Sequence, residues 1–420
     1  MNTKNIIISI AVVIILGLVG WAYWYFMMGP VAIPVSPTPS EGQPGFQPLN
    51  RNTPAGQGGQ ATSTGELGST NILTTDKTKL PTLRLLSDTP VGGYGASTTA
   101  TTTNVLWVDR GRGNVYRASY NSSQIVTLSN TVVPKIFNSI WNKNLTAFIG
   151  SLLEDGDLVP TNVYSELVRQ GTTTPAKSSL APYELRGKNI PGNLIGYAAS
   201  PDKSKLIMVM DESGMGVGYI SSFSGQGMTR LFSTPLTQIN VAWPTDNAIA
   251  ISTKGSASYP GFLYLVSPKT GVWSKILGPM AGLSAVVSHD GKYVLYSATG
   301  KNSEIQTSIY SIASGTSTDA LIKTLADKCA WGNFYKDLVF CGVPSQQMSG
   351  IYPDGWYLGS LSSVDKIWQV NAATGEVHLI ASLVDQADRT INAFRLDLDP
   401  KDKYLFFMNK NDLSLWSLAI

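Results

Sequence analysis

The chain holds few residues that could do chemistry. Among its 420 residues are two histidines and two cysteines. A hydrolytic triad needs a histidine held by a carboxylate. His289 lies in a turn beside Asp290, His378 lies in an expected outer strand with a wet face, and neither reads as held. Ser200-Pro201-Asp202-Lys203 has S-x-x-K spacing and Lys269-Thr270-Gly271 spells K-T-G. Penicillin-recognising enzymes need a serine on a helix of a distinct α/β fold for those motifs to act, and here both fall in turns. Asp109-Arg110-Gly111-Arg112-Gly113 has no following helix to cradle a phosphate, so it reads as a solvated hairpin turn. Glu154, Asp155 and Asp157 place three carboxylates in four residues and could chelate Ca²⁺ together with backbone carbonyls. EF-hand spacing is not met there, and a solvated polar loop is the plainer reading. Ca²⁺ is the one cofactor the sequence offers.

Cys329 and Cys341 flank the turn 332–337 symmetrically. Opposite each other on antiparallel strands, their Cα atoms would come to about 4.5 Å, within reach of a disulfide. A one-residue slip would leave two buried thiols instead. No histidine or carboxylate cluster accompanies them, so a zinc site is not expected. The best binding candidate is the stretch 343–365, which carries Tyr352, Asp354, Trp356 and Tyr357. Several aromatic rings are costly to leave wet, and Tyr and Trp are preferred anchors of binding surfaces. Two readings stand: the rings fold back as a plug over a central channel, or they meet a partner. Stacking on a sugar ring is a third option.

The elements that hold these residues are short strands. Charged residues make up only 14% of the chain and the net charge is +3. No Lys/Arg run supplies the electrostatic footprint of a nucleic-acid binder. From about residue 81 a unit recurs: an apolar strand, a tight polar turn, a second apolar strand. The residues before the turns are Trp141, Ser200, Trp243, Ser288, Trp331 and Asp399. Those from Ser200 to Trp331 recur at the roughly 40–50-residue period of propeller blades. Insertions at 170–182 and 343–365 account for the two longer steps. A third strand follows each unit, as in Leu263-Tyr264-Leu265-Val266, and a Gly-containing turn then leads to a fourth. A further unit lies upstream, with its first turn after Ser97. The last unit ends after its third strand, and Leu83-Arg84-Leu85-Leu86 is free to complete it. That closure would hide sheet edges.

The N-terminal part is different. Residues 1–5 read as a cytoplasmic stub. Ile6 to Met28 is uncharged and long enough to span about 30 Å of hydrocarbon as a helix. Lys4 precedes it and no basic residue follows before Arg51, which puts the remainder outside the cytoplasm. A cleaved signal peptide is the alternative, but the run ends in Trp21, Tyr23, Trp24, Tyr25 and Phe26 rather than in small residues. Residues 29–80 are rich in Pro, Gly, Ser and Thr and read as a flexible linker. The domain proper is 81–420.

Ser288-His289-Asp290-Gly291-Lys292-Tyr293-Val294-Leu295-Tyr296-Ser297, with Ile309-Tyr310-Ser311-Ile312 after it, resembles the repeat of TolB-like and WD40-like propeller proteins. Ser200-Pro201-Asp202-Lys203 matches the phrase more loosely, and the Trp-Asp and Gly-His dipeptides of WD40 repeats are absent. The expected fold is therefore all-β: a seven-bladed β-propeller, with six or eight blades as the neighbouring counts, behind one transmembrane helix and a disordered linker. Propellers host many functions. The shortage of acid–base residues points to a non-catalytic binding or scaffolding module of an envelope or surface assembly, with a protein partner there. The competing expectation is an enzyme or ligand receptor, directed at glycans or peptides, that uses the channel mouth.

Overall fold

The computed structural model describes residues 82–153, 160–170, 181–190, 192–300, 304–346 and 350–420. All of them belong to the second of the two units into which the chain divides, Thr74–Ile420. The expected anchor (6–28), linker (29–80) and Ca²⁺-binding carboxylates Glu154, Asp155 and Asp157 lie outside the described residues. Among the described residues no helix is long and apolar enough to cross a membrane.

The described residues are almost entirely strands, arranged as successive four-stranded antiparallel meanders. We number these I to VII by their innermost strands: Val91–Thr98, Ile136–Trp141, Leu194–Ala199, Ile239–Thr245, Ser284–Val287, Cys329–Trp331 and Ala393–Leu398. Five are separate four-stranded sheets. Meanders I and II are linked into one eight-stranded sheet through a single parallel pair, Ser129 with Tyr183. Thr131 supports that link, its Oγ1 accepting the Leu185 amide at 2.9 Å. Nothing in the repeat pattern announced this join.

The recurring turn has a physical reason. In II, III, V and VII a residue with an acceptor side chain stands at its start and takes the amides that open the second strand, which would otherwise be unpaired. Ser288 Oγ accepts from Lys292 N at 3.1 Å and Tyr293 N at 3.0 Å. Asp399 Oδ1 accepts from Lys403 N at 2.6 Å and Tyr404 N at 2.8 Å. Asn142 Oδ1 does the same for Thr146 N and Ala147 N. Ser200-Pro201-Asp202-Lys203 is therefore turn chemistry: Ser200 Oγ accepts the Lys205 amide at 2.9 Å and donates to Asp202 at 2.6 Å.

The second strands carry unbroken apolar runs because both of their faces are covered. In III, Leu206, Met208 and Met210 pack towards II, while Ile207 and Val209 pack towards IV. In VII, Phe406 and Met408 face I, and Leu405 and Phe407 face VI. The core is accordingly a set of interfaces, one between each pair of neighbouring meanders. The set closes on itself: VII packs on I through Val91, Trp107, Phe406 and Met408. This ring of sheets is the arrangement of a β-propeller. Leu83–Ser87 supplies the fourth strand of VII, pairing antiparallel with Leu415–Ala419, with Leu83 opposite Leu418 and Leu85 opposite Trp416. Glycines at the start of I let II come close. A Cβ on Gly92 would lie 2.5 Å from the Ile136 carbonyl oxygen.

Candidate functional site

In an antiparallel meander the second-to-third connection leaves at the same end as the entry to the innermost strand. That end is called the upper rim here. The insertion of VI joins Leu338–Pro344 to Asp365–Asn371, so it emerges there. Among its described residues is a helix, α1 (Asp354–Leu358), which ends on Gly359 in the left-handed region at φ 78°.

Tyr352 and Trp356 stand four residues apart and turn the same way, inward. They are 3% and 4% exposed and form a cluster with Leu325, flanked by Ile305, Leu361 and Phe394. The remaining ties are polar and long-range. Asp354 accepts from Ser256 Oγ and from the Ala257 amide of IV, both at 2.8 Å. Thr299 Oγ1 of V donates to the Tyr352 carbonyl at 2.8 Å. Trp356 Nε1 donates to Asn392 Oδ1 at 3.1 Å, just before the innermost strand of VII. Tyr357 Oη donates to Asp327. The insertion is thus fastened to IV, V and VII as well as to its own meander.

Beneath Trp356 lies a buried ion pair. Lys328 Nζ is 2.7 Å from Asp365 Oδ2, and both side chains are almost fully shielded. The ammonium also donates to Ser363 Oγ at 2.6 Å and Asn392 Oδ1 at 3.0 Å. Asp365 Oδ2 further accepts the Ala393 amide at 2.6 Å. Burial pulls the Lys328 pKa down and Asp365 opposes it. Burial, with Asp365 adding to it, pushes the Tyr352 phenol up to about 12. Burial likewise raises the Asp327 carboxyl. A lysine shielded and saturated in this way is a strut and has no route to a substrate.

The expected binding set therefore separates. Tyr352 and Trp356 turn their rings into the space beside Leu325, and Tyr352 also lines the groove beside the insertion. Asp354 spends its carboxylate on IV. Tyr357 is 38% exposed and stays at the surface. Ile351 (63%), Leu358 (84%) and, at the neighbouring entry to VI, Leu321 (71%) join it there. Tyr259, next to the point where Asp354 is anchored, is exposed as well. A groove of about 330 Å³ runs beside the insertion, lined by Ile305, Leu321, Ile322, Val343, Tyr352 and Trp368, with Lys323 and Lys366 at its edge. Ile351, Leu358 and Leu321 escape a search for chemistry-bearing residue types. A local clue to two of them is that they flank the inward pair at Tyr352 and Trp356.

Elsewhere, Cys329 and Cys341 are directly opposite each other and joined by a disulfide, with Cα atoms 4.1 Å apart. His289 is better held than its place in a turn implies. It is half-buried, it bonds to the Pro244 carbonyl, and burial lowers its pKa against the pull of Asp397. His378 is exposed. The Asp109–Gly113 segment is a solvated turn, with Asp109 Oδ1 accepting the Arg112 amide at 2.7 Å. No cluster of three or more metal-ligating side chains occurs among the described residues.

No protein-family model matches the chain, and no curated protein matches it. Solved structures do. TolB from Acinetobacter baumannii is 13% identical with a TM-score of 0.40, over 76% of this chain and 63% of that one. A puromycin-hydrolyzing peptidase from Mycobacterium tuberculosis is 12% identical with a TM-score of 0.46, over 78% and 53%. An oligogalacturonate lyase from Vibrio parahaemolyticus is 10% identical with a TM-score of 0.46, over 79% and 97%. The chain spans less than two thirds of the length of the first two. Likenesses of this degree carry no argument about activity.

Proposed function

We propose that this chain is a membrane-anchored, extracytoplasmic, seven-bladed propeller that works as a non-catalytic binding module of an envelope or surface assembly. Residues 6–28 would be the anchor, 29–80 the tether and 81–420 the propeller, each meander counting as one blade. The partner is a protein, seated on the upper rim at the insertion. One observation supports this reading above the rest: Ile351, Tyr357 and Leu358 stand exposed on a loop fastened to three other meanders, beside a groove that the exposed Leu321 also lines. A fixed scaffold that displays apolar side chains binds without paying to order them. Lys328, Asp365 and Asp354, the charged groups that hold the insertion in place, are engaged in its own struts.

The test is affinity capture from solubilised envelopes with the full chain as bait, beside an Ile351→Ser/Leu358→Ser variant. Both side chains are solvent-exposed, so the variant should melt like the parent. A partner held by the parent and lost by the variant is the expected result. Identical captures by two equally stable baits would remove the rim from consideration.

A further inference from the structure

Arg395 lies in the innermost strand of VII, where the pairing register slips between Phe394 and Asp397. Its φ is 50°, in the left-handed region that arginine rarely adopts. This distortion sends the side chain away from its own sheet towards I and II. Nη1 donates to the Gly92 carbonyl at 3.2 Å and Nη2 to the Phe137 carbonyl at 3.4 Å. Both acceptors are neutral. Among the described residues no carboxylate is ion-paired with this guanidinium. Burial is the main influence on it and lowers its pKa. Arg395 is half-buried, and a cation partly withdrawn from water without a counter-charge is costly to keep. Guanidinium has five N–H donors, so the two carbonyls leave most of the fork unused.

A cavity of about 290 Å³ opens beside it, where the innermost strands of II, III and IV begin. Phe137, whose carbonyl Arg395 holds, is part of the wall. The rest of the wall is rich in polar side chains, among them Asn138, Ser151, Asn162, Tyr197, Asn240 and Lys254. Several are locked by one another. Asn138 Nδ2 donates to Tyr197 Oη at 3.1 Å, Ser151 Oγ shares a hydrogen bond with Tyr197 Oη at 2.7 Å, and Ser151 Oγ reaches Asn162 Oδ1 at 2.7 Å. Lys254 brings a second cation whose recorded partner, Gln238 Oε1 at 3.2 Å, is also neutral.

We propose that this cavity binds a small oxyanion-bearing molecule. Its carboxylate or phosphate pairs with Arg395, Lys254 supplies the second positive charge, and its remaining polar atoms meet Asn138, Tyr197 and Asn240. A guanidinium fork matches either oxyanion bidentately. The preset amides and hydroxyls give orientation. The backbone distortion at Arg395 is then the local cost of placing a cation where three meanders meet. The site lies at II, III and IV and not on the insertion of VI, so it stands or falls apart from the reading of the insertion as a partner's seat.

The experiment is calorimetric titration of the full chain with inorganic phosphate and, separately, with malate, at constant ionic strength. The same titrations are run on Arg395→Gln and Lys254→Gln. At least one probe should saturate with Kd of about 1 mM or tighter. Arg395→Gln should weaken it at least ~10-fold and Lys254→Gln several-fold. Phosphate alone saturating assigns a phosphate ligand, and malate alone a carboxylate. Failure of both probes to saturate overturns the proposal, as does unchanged affinity in a folded Arg395→Gln protein. Should Arg395→Gln not fold, the exposed Lys254 decides, and unchanged affinity in Lys254→Gln overturns the proposal equally.

Discussion

Lys328 shows how a residue that looks functional can be structural. A buried ion pair adds little by itself, because desolvation offsets the attraction, but removing one partner strands the other. Lys328→Met leaves Asp365 buried and charged beneath Trp356, and should cost about 3–5 kcal/mol by chemical denaturation. Lys328→Met/Asp365→Asn removes the stranded charge while keeping an acceptor for the Ala393 amide. It should recover at least ~1 kcal/mol of that loss, since contacting residues are not additive. Equal stabilities for the two variants would mean that the pair carries no coupled charge. At this scale the sequence was half legible. Aromatic density in 343–365 marked a loop whose rings are partly covered, because rings cluster only where they can be covered or used. The division into inward Tyr352 and Trp356 and outward Ile351 and Leu358 was not visible, since it depends on where Leu325 and Asn392 lie in three dimensions. Arg395 was silent for a similar reason: a register slip and a left-handed φ leave no mark in residue type.

The element at which local pattern and tertiary packing meet most directly is the first hairpin of VI. Its disulfide closes a loop with a sequence separation of 12 and sits in the interface between V and VI, with Trp331 and Val339 beside it. Chain-entropy reasoning puts its contribution at about 2–3 kcal/mol, with native-state packing adding or subtracting. Cys329→Ala/Cys341→Ala should lower the denaturation midpoint accordingly while leaving the insertion's exposed residues in place. An unchanged midpoint would mean that the strands hold their register without the bond. The neighbouring turn is already fastened: Asp402 of VII accepts the Asn333 amide through Oδ1 and the Phe334 and Tyr335 amides through Oδ2. Elements of this kind were the most legible part of the fold. Acceptor-before-turn chemistry, in II, III, V and VII, and second strands apolar on both faces are local demands, so they repeat in the chain. The Ser129–Tyr183 join between I and II was illegible because one residue pair makes no pattern.

Closure is a property of the whole ring. Every meander but one is made from a contiguous run of chain, and VII borrows Leu83–Ser87 from the far end of the described residues. That strand covers the edge of Leu415–Ala419, which would otherwise be an open template for pairing. It also brings apolar weight, with Leu83 packed between VI and VII and Leu86 between VII and I. Arg389 adds ion pairs to Asp88 and Asp412 at the same seam. Each large-to-small change there should cost about 2–5 kcal/mol. Deleting 83–87 removes both side chains, the strand and the seal together. If the ring is one cooperative body, the deletion should lower a single melting transition of the entire propeller, because VI and I each lose part of an interface with VII. If the meanders behave as a linear array, only the end should loosen. Limited proteolysis distinguishes these outcomes. Cleavage spread along 91–420 at the lowered midpoint supports a closed ring. A trimmed 393–420 with 91–382 intact and melting as before would show that the last meander is an appendage and that closure contributes nothing to the others.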